Sequence, residues 1–200
     1  MKFPYLFRGL VSLFLVMGFA VPLFAGEPTD QIRQATDKIL SIVRDPALKN
    51  PSRVQERRKL IRKAVDERFD WEEMARRSLG RYWAQRTAEE KKEFVHLFSD
   101  LVERTYMAKV ESYSGEKVQY QGEAIEGDYA VVKVAIMTEK GEDISADYRL
   151  QKEGNQWLVY DVSIEGVSLV NNYRTQFNSI ILQSSYGELV KKLKAKKAPE

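Results

Sequence analysis

Few residues of this 200-residue chain have the types and spacing that covalent chemistry needs. The single histidine, His96, lies between Val95 and Leu97 in a helical stretch, beside an apolar stripe. A half-exposed helix histidine is the ordinary reading there, and an acid–base role the alternative. Cysteine is absent, so neither disulfides nor thiolate chemistry is available. Carboxylates are numerous, but most lie on polar helix faces or at capping positions such as Asp70, Glu73 and Glu90. Paired acids would need burial to separate their pKa values, and no spacing here argues for it. Asp161 lies inside an apolar strand; strict alternation groups it with Trp157, Val159 and Ser163 on an outer face, opposite a basic cross-strand partner. The chain has no glycine-rich phosphate loop, no metal-ligand cluster and no Gly-x-Ser-x-Gly turn. No catalytic residue, metal or cofactor is expected.

What the sequence does concentrate is aromatic surface. Tyr82, Trp83, Phe94, Phe98, Tyr106, Tyr113, Tyr148, Tyr173 and Phe177 fall on or beside inward faces. They could fill an ordinary core or line a pocket, and periodicity does not separate the two. Charge is nearly balanced, 32 Lys+Arg against 29 Asp+Glu, which argues against a nucleic-acid protein. Lys191, Lys192, Lys194, Lys196 and Lys197 either complement a helix C-terminus or attract an anionic membrane. Arg174 is read either as a salt bridge across a hinge or as a contact to an anionic headgroup.

The elements that position these residues divide by period. Thr29 can cap a helix with Ile32, Ala35, Ile39, Ile42 and Val43 on one face, ended by Asp45-Pro46. Capping boxes at Ser52/Gln55, Asp70/Glu73 and Thr87/Glu90 open three more. The last of these runs to about Tyr113, with Phe94, Phe98, Leu101, Val102, Tyr106 and Val110 along one stripe. After Ser114-Gly115 the period becomes 2, and four strands form an antiparallel meander. Its turns are expected near Asp128, at Lys140-Gly141 and at Gly154-Asn155. Gly166 breaks the last strand, Trp157–Ile164, and Asn171 or Asn172 can cap the helix that follows. A bulky residue at Gly166 is expected to change the spacing between sheet and helix. Ser185/Glu188 opens a closing helix with Leu189, Val190 and Leu193 inward. The architecture is α+β, with helices at 29–113 and 168–197 packed on a curved antiparallel sheet at 117–164.

The N-terminus has a separate role. Lys2 and Arg8 precede an apolar run, Leu10 to Val21, too short to span a bilayer comfortably. Residues 1–25 are expected to be a signal peptide cut after Ala25, with an uncleaved membrane anchor as the other reading. Residues 26–200 would be one domain, and loss of Lys2 and Arg8 would lower the net charge from +3 by two.

Two blocks of residues carry a family resemblance. Leu79-Gly-Arg-Tyr-Trp83, Thr87-Ala-Glu-Glu-Lys-Lys-Glu-Phe94, Leu97-Phe98 and Tyr106 form the first. Val162, Glu165-Gly-Val-Ser-Leu169 and Asn172-Tyr-Arg-Thr-Gln-Phe177 form the second, with Gly187, Leu189 and Leu193 closing the chain. Together they resemble the MlaC family, the periplasmic phospholipid-binding proteins of the Mla pathway, also called toluene-tolerance auxiliary ABC-transporter proteins. The resemblance implies a cystatin- and NTF2-like fold with an interior cavity for acyl chains. It implies a monomeric periplasmic lipid carrier, not an enzyme, that exchanges phospholipid between two membrane complexes. One is an inner-membrane ABC transporter complex with its substrate-binding MCE-domain subunit, and the other an outer-membrane lipoprotein–porin complex. Outer-membrane lipid asymmetry would be maintained in this way. Given that implication, inward-face periodicity nominates Trp83, Phe94, Phe98, Tyr106, Val132, Val134, Tyr148, Leu150, Val162, Tyr173 and Phe177 as acyl-chain contacts. An NTF2-like enzyme for a small apolar substrate, or a docking module with a solid interior, are the rival readings.

Overall fold

The computed structural model describes residues 27–137 and 143–195. The expected signal peptide, the turn at Lys140-Gly141 and the lysines Lys196 and Lys197 lie outside the described residues. In chain order the helices are α1 (Glu27–Arg44), α2 (Val54–Asp66), α3 (Trp71–Leu79) and α4 (Ala88–Glu111). Strands β1 (Lys117–Glu126), β2 (Tyr129–Met137), β3 (Asp143–Glu153) and β4 (Gln156–Ile164) follow, then β5 (Val167–Ser168). Helices α5 (Leu169–Gln183) and α6 (Tyr186–Ala195) close the fold. The sheet is an antiparallel meander in the order β1-β2-β3-β4-β5, so the expected four strands gain a short fifth.

Local chemistry explains most of the boundaries. Thr87 and Glu90 form a complete capping box, each side chain accepting the other's backbone N–H. Asp70 accepts the Glu73 N–H at 2.9 Å, and Ser185 accepts that of Glu188 at 3.1 Å. The other expected caps differ. Ser52 does not cap α2; Asp45 and Asn50 cap two short 3-10 turns, Pro46–Leu48 and Pro51–Arg53, that lead into it. Thr29 lies inside α1, which begins at Glu27, and its N–H and hydroxyl donate to Glu123 on β1. The cap of α5 is Ser168 rather than an asparagine, because the hairpin closes sooner than expected. Glu165 (φ 50°) and Gly166 (φ 76°) form a two-residue turn with Ile164 opposite Val167. A Cβ at Gly166 would meet nothing within 4 Å, so substitution there strains the turn and does not press on the sheet–helix spacing.

One irregularity in β4 rearranges the inner face. Arg149 pairs with Asp161 but Leu150 pairs with Val159, which leaves Tyr160 as an extra residue. The bulge reverses the parity of the strand. Trp157 and Val159 therefore join Val162 on the apolar face with Ile32, Val132, Val134 and Leu150, and strict alternation misplaces them outward. Asp161 stays on the other face, 4 % exposed. It accepts hydrogen bonds from the Ser168 hydroxyl at 2.6 Å and the Val170 N–H at 3.0 Å, and pairs with Arg149 at 3.6 Å. The expected basic partner is present, and the same carboxylate also fixes the start of α5. Asp161→Ala leaves these donors unmatched, and is expected to cost about 3 kcal/mol of stability. Urea denaturation checks this as a lower midpoint at unchanged slope.

Candidate functional site

Among the described residues, three apolar clusters build the interior. The largest gathers α3, α4, α5 and α6 around Phe94, Phe98, Tyr173 and Phe177. The second lies between Ile32 of α1 and the concave face of the sheet. The third joins α1, α2 and α4 through Val43, Ile61 and Met107. Where the three meet they do not close. A cavity of about 210 Å³ remains, lined by Ile61, Val65, Met107 and Val110 from the third cluster and by Tyr148, Val162 and Ile164 from the sheet. Phe69, Trp71, Val102, Tyr106 and Leu169 line it from the side of the helical cluster.

The physics of this space favours hydrocarbon. Apolar cavities of about 150 Å³ stay dry and take up benzene. The space opens partly to solvent, and an apolar wall left facing water or a void is unfavourable. An apolar chain that enters covers this wall and is therefore stabilising. Two tyrosines place phenol groups in the wall. Burial pushes the Tyr148 phenol up to about 12, and burial with the neighbouring Tyr173 also raises that of Tyr106. Both remain neutral at physiological pH.

The charged residues of the lining, Arg62 and Glu103, are paired with each other. Arg62 also reaches Asp66 at 2.7 Å, Asp100 at 3.5 Å and the Ser99 hydroxyl at 2.9 Å. Its guanidinium lies 5.6 Å from the Trp71 ring, whose N–H donates to Asp66 at 2.7 Å. Burial opposes the charge of Arg62, but hydrogen bonds to Asp66 and Glu103 outweigh it and raise its pKa.

The ties between α2 and α4 are ionic along their length. Arg57 and Arg58 grip Glu111 at 2.6 and 2.9 Å, and Arg62 grips Glu103. Burial alone would raise the Glu111 pKa, but the hydrogen bonds from Arg58 and Arg57 hold it below the usual carboxylate value. A depressed pKa stabilises the fold above the unfolded value, about 4.3, and this contribution disappears as pH falls through the folded value. Acidification below about pH 4 is expected to loosen α2. Circular dichroism melts should show a drop in Tm across that range, flattened in Glu111→Gln.

Of the eleven nominated residues, Tyr106, Tyr148 and Val162 line the cavity. Phe94, Phe98, Tyr173 and Phe177 pack against one another, with ring centroids 5.5 to 6.4 Å apart. Val132, Val134 and Leu150 lie in the sheet cluster. Trp83 is half-buried at the rim of the helical cluster, with the Lys91 ammonium over its ring at 5.5 Å. Sequence reasoning missed the α2 wall and the Arg62–Glu103 pair. The inward stripe of α2, Ile61 and Val65, was its available signal. Arg174 forms no ion pair among the described residues, and a Cβ at Gly80 would lie 3.1 Å from its Nε. His96 is exposed on α4 and faces Asp100 at 3.5 Å.

Comparison with known proteins agrees with the resemblance read from the two sequence blocks. The family model described as MlaC protein matches residues 33–195. The intermembrane phospholipid transport system binding protein MlaC of Haemophilus influenzae is 25 % identical over 189 residues, covering 92 % of this chain and 87 % of that one. The solved phospholipid-binding protein of Ralstonia solanacearum, in complex with a phospholipid, superposes with a TM-score of 0.75 at 28 % identity. That match covers 85 % of this chain and 96 % of the other. An α+β fold with a curved antiparallel sheet, the two sequence blocks and a family match over most of the chain lead to one assignment: this chain belongs to the MlaC family.

Proposed function

We propose that this protein is a periplasmic phospholipid carrier. It would take acyl chains into the cavity between α2, α4 and the sheet, and do no covalent chemistry. The cavity is the observation that carries the reading: its wall is apolar, and its charged residues are mutually paired. The phospholipid held by the Ralstonia solanacearum relative supports the ligand class. Tyr106, Tyr148 and Val162 are the direct contacts, and the other eight nominated residues hold the surrounding walls in place. A chain leaving water gains about 0.8 kcal/mol per methylene, so two tails carried naked would cost on the order of 20 kcal/mol. The carrier is a monomer that moves lipid between an inner-membrane ABC transporter complex, with its MCE-domain subunit, and an outer-membrane lipoprotein–porin complex. It thereby maintains the lipid asymmetry of the outer membrane. Residues 1–25 direct export and are removed, and residues 26–200 form the single lipid-binding domain. Among the described residues no helix is long and apolar enough to cross a membrane.

Mass spectrometry of organic extracts from detergent-free protein tests this. Phospholipid at near-stoichiometric amount is the expected result. Absence of lipid from a protein of unchanged melting temperature would overturn it.

A further inference from the structure

Away from the cavity, two adjoining clefts run along the outer side of α5. The first, about 310 Å³, is lined by Gly80, Arg81, Tyr82, Thr175 and Asn178. The second, about 370 Å³, is lined by Arg77, Arg149, Tyr160, Asp161 and Ser168. Asn171 and Arg174 belong to both, so the clefts form one groove.

The groove is basic in a particular way. Four arginines line it: Arg77, Arg81, Arg149 and Arg174. Among the described residues Asp161 is the carboxylate in its wall, and that side chain is buried and already bonded to Ser168, Val170 and Arg149. Glu73, which neutralises Arg77, also binds Arg76 and is largely buried. Arg174 and Arg81 have no carboxylate partner among the described residues; Arg81 donates only to the Tyr82 hydroxyl and, at 3.4 Å, to Asn178. Two of the guanidiniums have defined neighbours. Arg77 stacks 4.1 Å from the Tyr160 ring that the β4 bulge turns outward. Arg174 lies across Gly80, whose backbone (φ 58°, ψ −130°) only glycine adopts readily and whose missing Cβ makes room for it. Fixed arginine forks suit carboxylates, which they grip in a bidentate fashion.

We propose that this groove docks an acidic segment of a partner protein. The surface is concave, so a projecting loop or peptide fits it and a flat bilayer does not. The basic residues are positioned arginines; the lysines suited to a diffuse membrane field, Lys191, Lys192 and Lys194, lie on α6 outside the groove. This inference is independent of the carrier reading, because none of these arginines lines the cavity.

Titration of the 15N-labelled protein, as purified, with a hexaglutamate peptide tests it. Saturable amide shifts are expected at Gly80, Arg81, Asn171, Arg174 and Asn178, weakening as salt is added. Combined Arg81→Glu and Arg174→Glu should weaken the peptide at least tenfold, and Arg174→Gln alone should do so partially. Lipid content and circular dichroism should match those of the wild type in each. Shifts confined to the α6 lysines, or equal affinity in the double variant, would overturn the proposal. So would loss of binding to vesicles of phosphatidylglycerol and phosphatidylcholine in that variant while peptide binding persists.

Discussion

Val162→Phe should fold and yet carry at least tenfold less phospholipid than the wild type. Val162 projects from β4 into the cavity, and is 7 % exposed. Phenylalanine is a good strand former and introduces no polar atom. Phenylalanine extends beyond valine by most of a ring, so it would occupy part of the available 210 Å³ in the path of an acyl chain. Overpacking usually costs about 1–3 kcal/mol, but here the added carbons enter existing space and recover part of the cavity penalty. Melting temperature should therefore hold or rise relative to the lipid-stripped wild type, while extractable lipid phosphorus falls. A protein of normal stability and undiminished lipid would move the acyl site elsewhere. The cleft between α4, α5 and α6, lined by Leu101, Tyr173, Phe177 and Leu189, would be the next candidate.

The choice of Val162 depended on the structure. From sequence alone Val134 is an equally good inner-face position for a disruptive charge. In the fold Val134 is 3 % exposed in the filled cluster beneath α1, where Val134→Glu would unfold the protein and report nothing about lipid. Periodicity places a side chain on a face but does not say what lies across from it. That depends on how α1 crosses the sheet and how far α2 stands from α4, which no local pattern encodes. The helices were legible because caps such as Thr87/Glu90 are local chemistry. The meander was legible because alternation and the Gly154-Asn155 turn are local too. The bulge at Tyr160 was not. A single inserted residue changes the parity of β4 without changing its composition, so Trp157 and Val159 read as outward while packing inward. Asp161 gave a partial signal: an acid within an apolar strand needs donors, but its second role at the start of α5 required the hairpin at Glu165-Gly166 to bring Ser168 and Val170 back to it.

Phe98→Ala should have the reverse signature, a large loss of stability with lipid per folded molecule unchanged. Phe98 has no exposed surface and meets Phe94, Tyr173 and Phe177 at centroid distances of 6.4, 5.6 and 6.2 Å. The contacts to Tyr173 and Phe177 are edge-on, at interplanar angles of 85° and 81°. Each such pair adds to the burial of the ring itself. Truncation should cost about 3–5 kcal/mol, a large share of the 5–15 kcal/mol that holds a domain of this size. Guanidinium denaturation would show it as a lowered midpoint. The cavity wall beyond Tyr106 does not include this ring, so folded protein should still extract with its lipid. The paired variants separate two uses of aromatic and aliphatic surface that look identical along the chain. Loss of lipid in Phe98→Ala at unchanged stability would mean that the helical cluster opens to admit acyl chains. The boundary between packing and pocket would then lie one layer deeper than Tyr106.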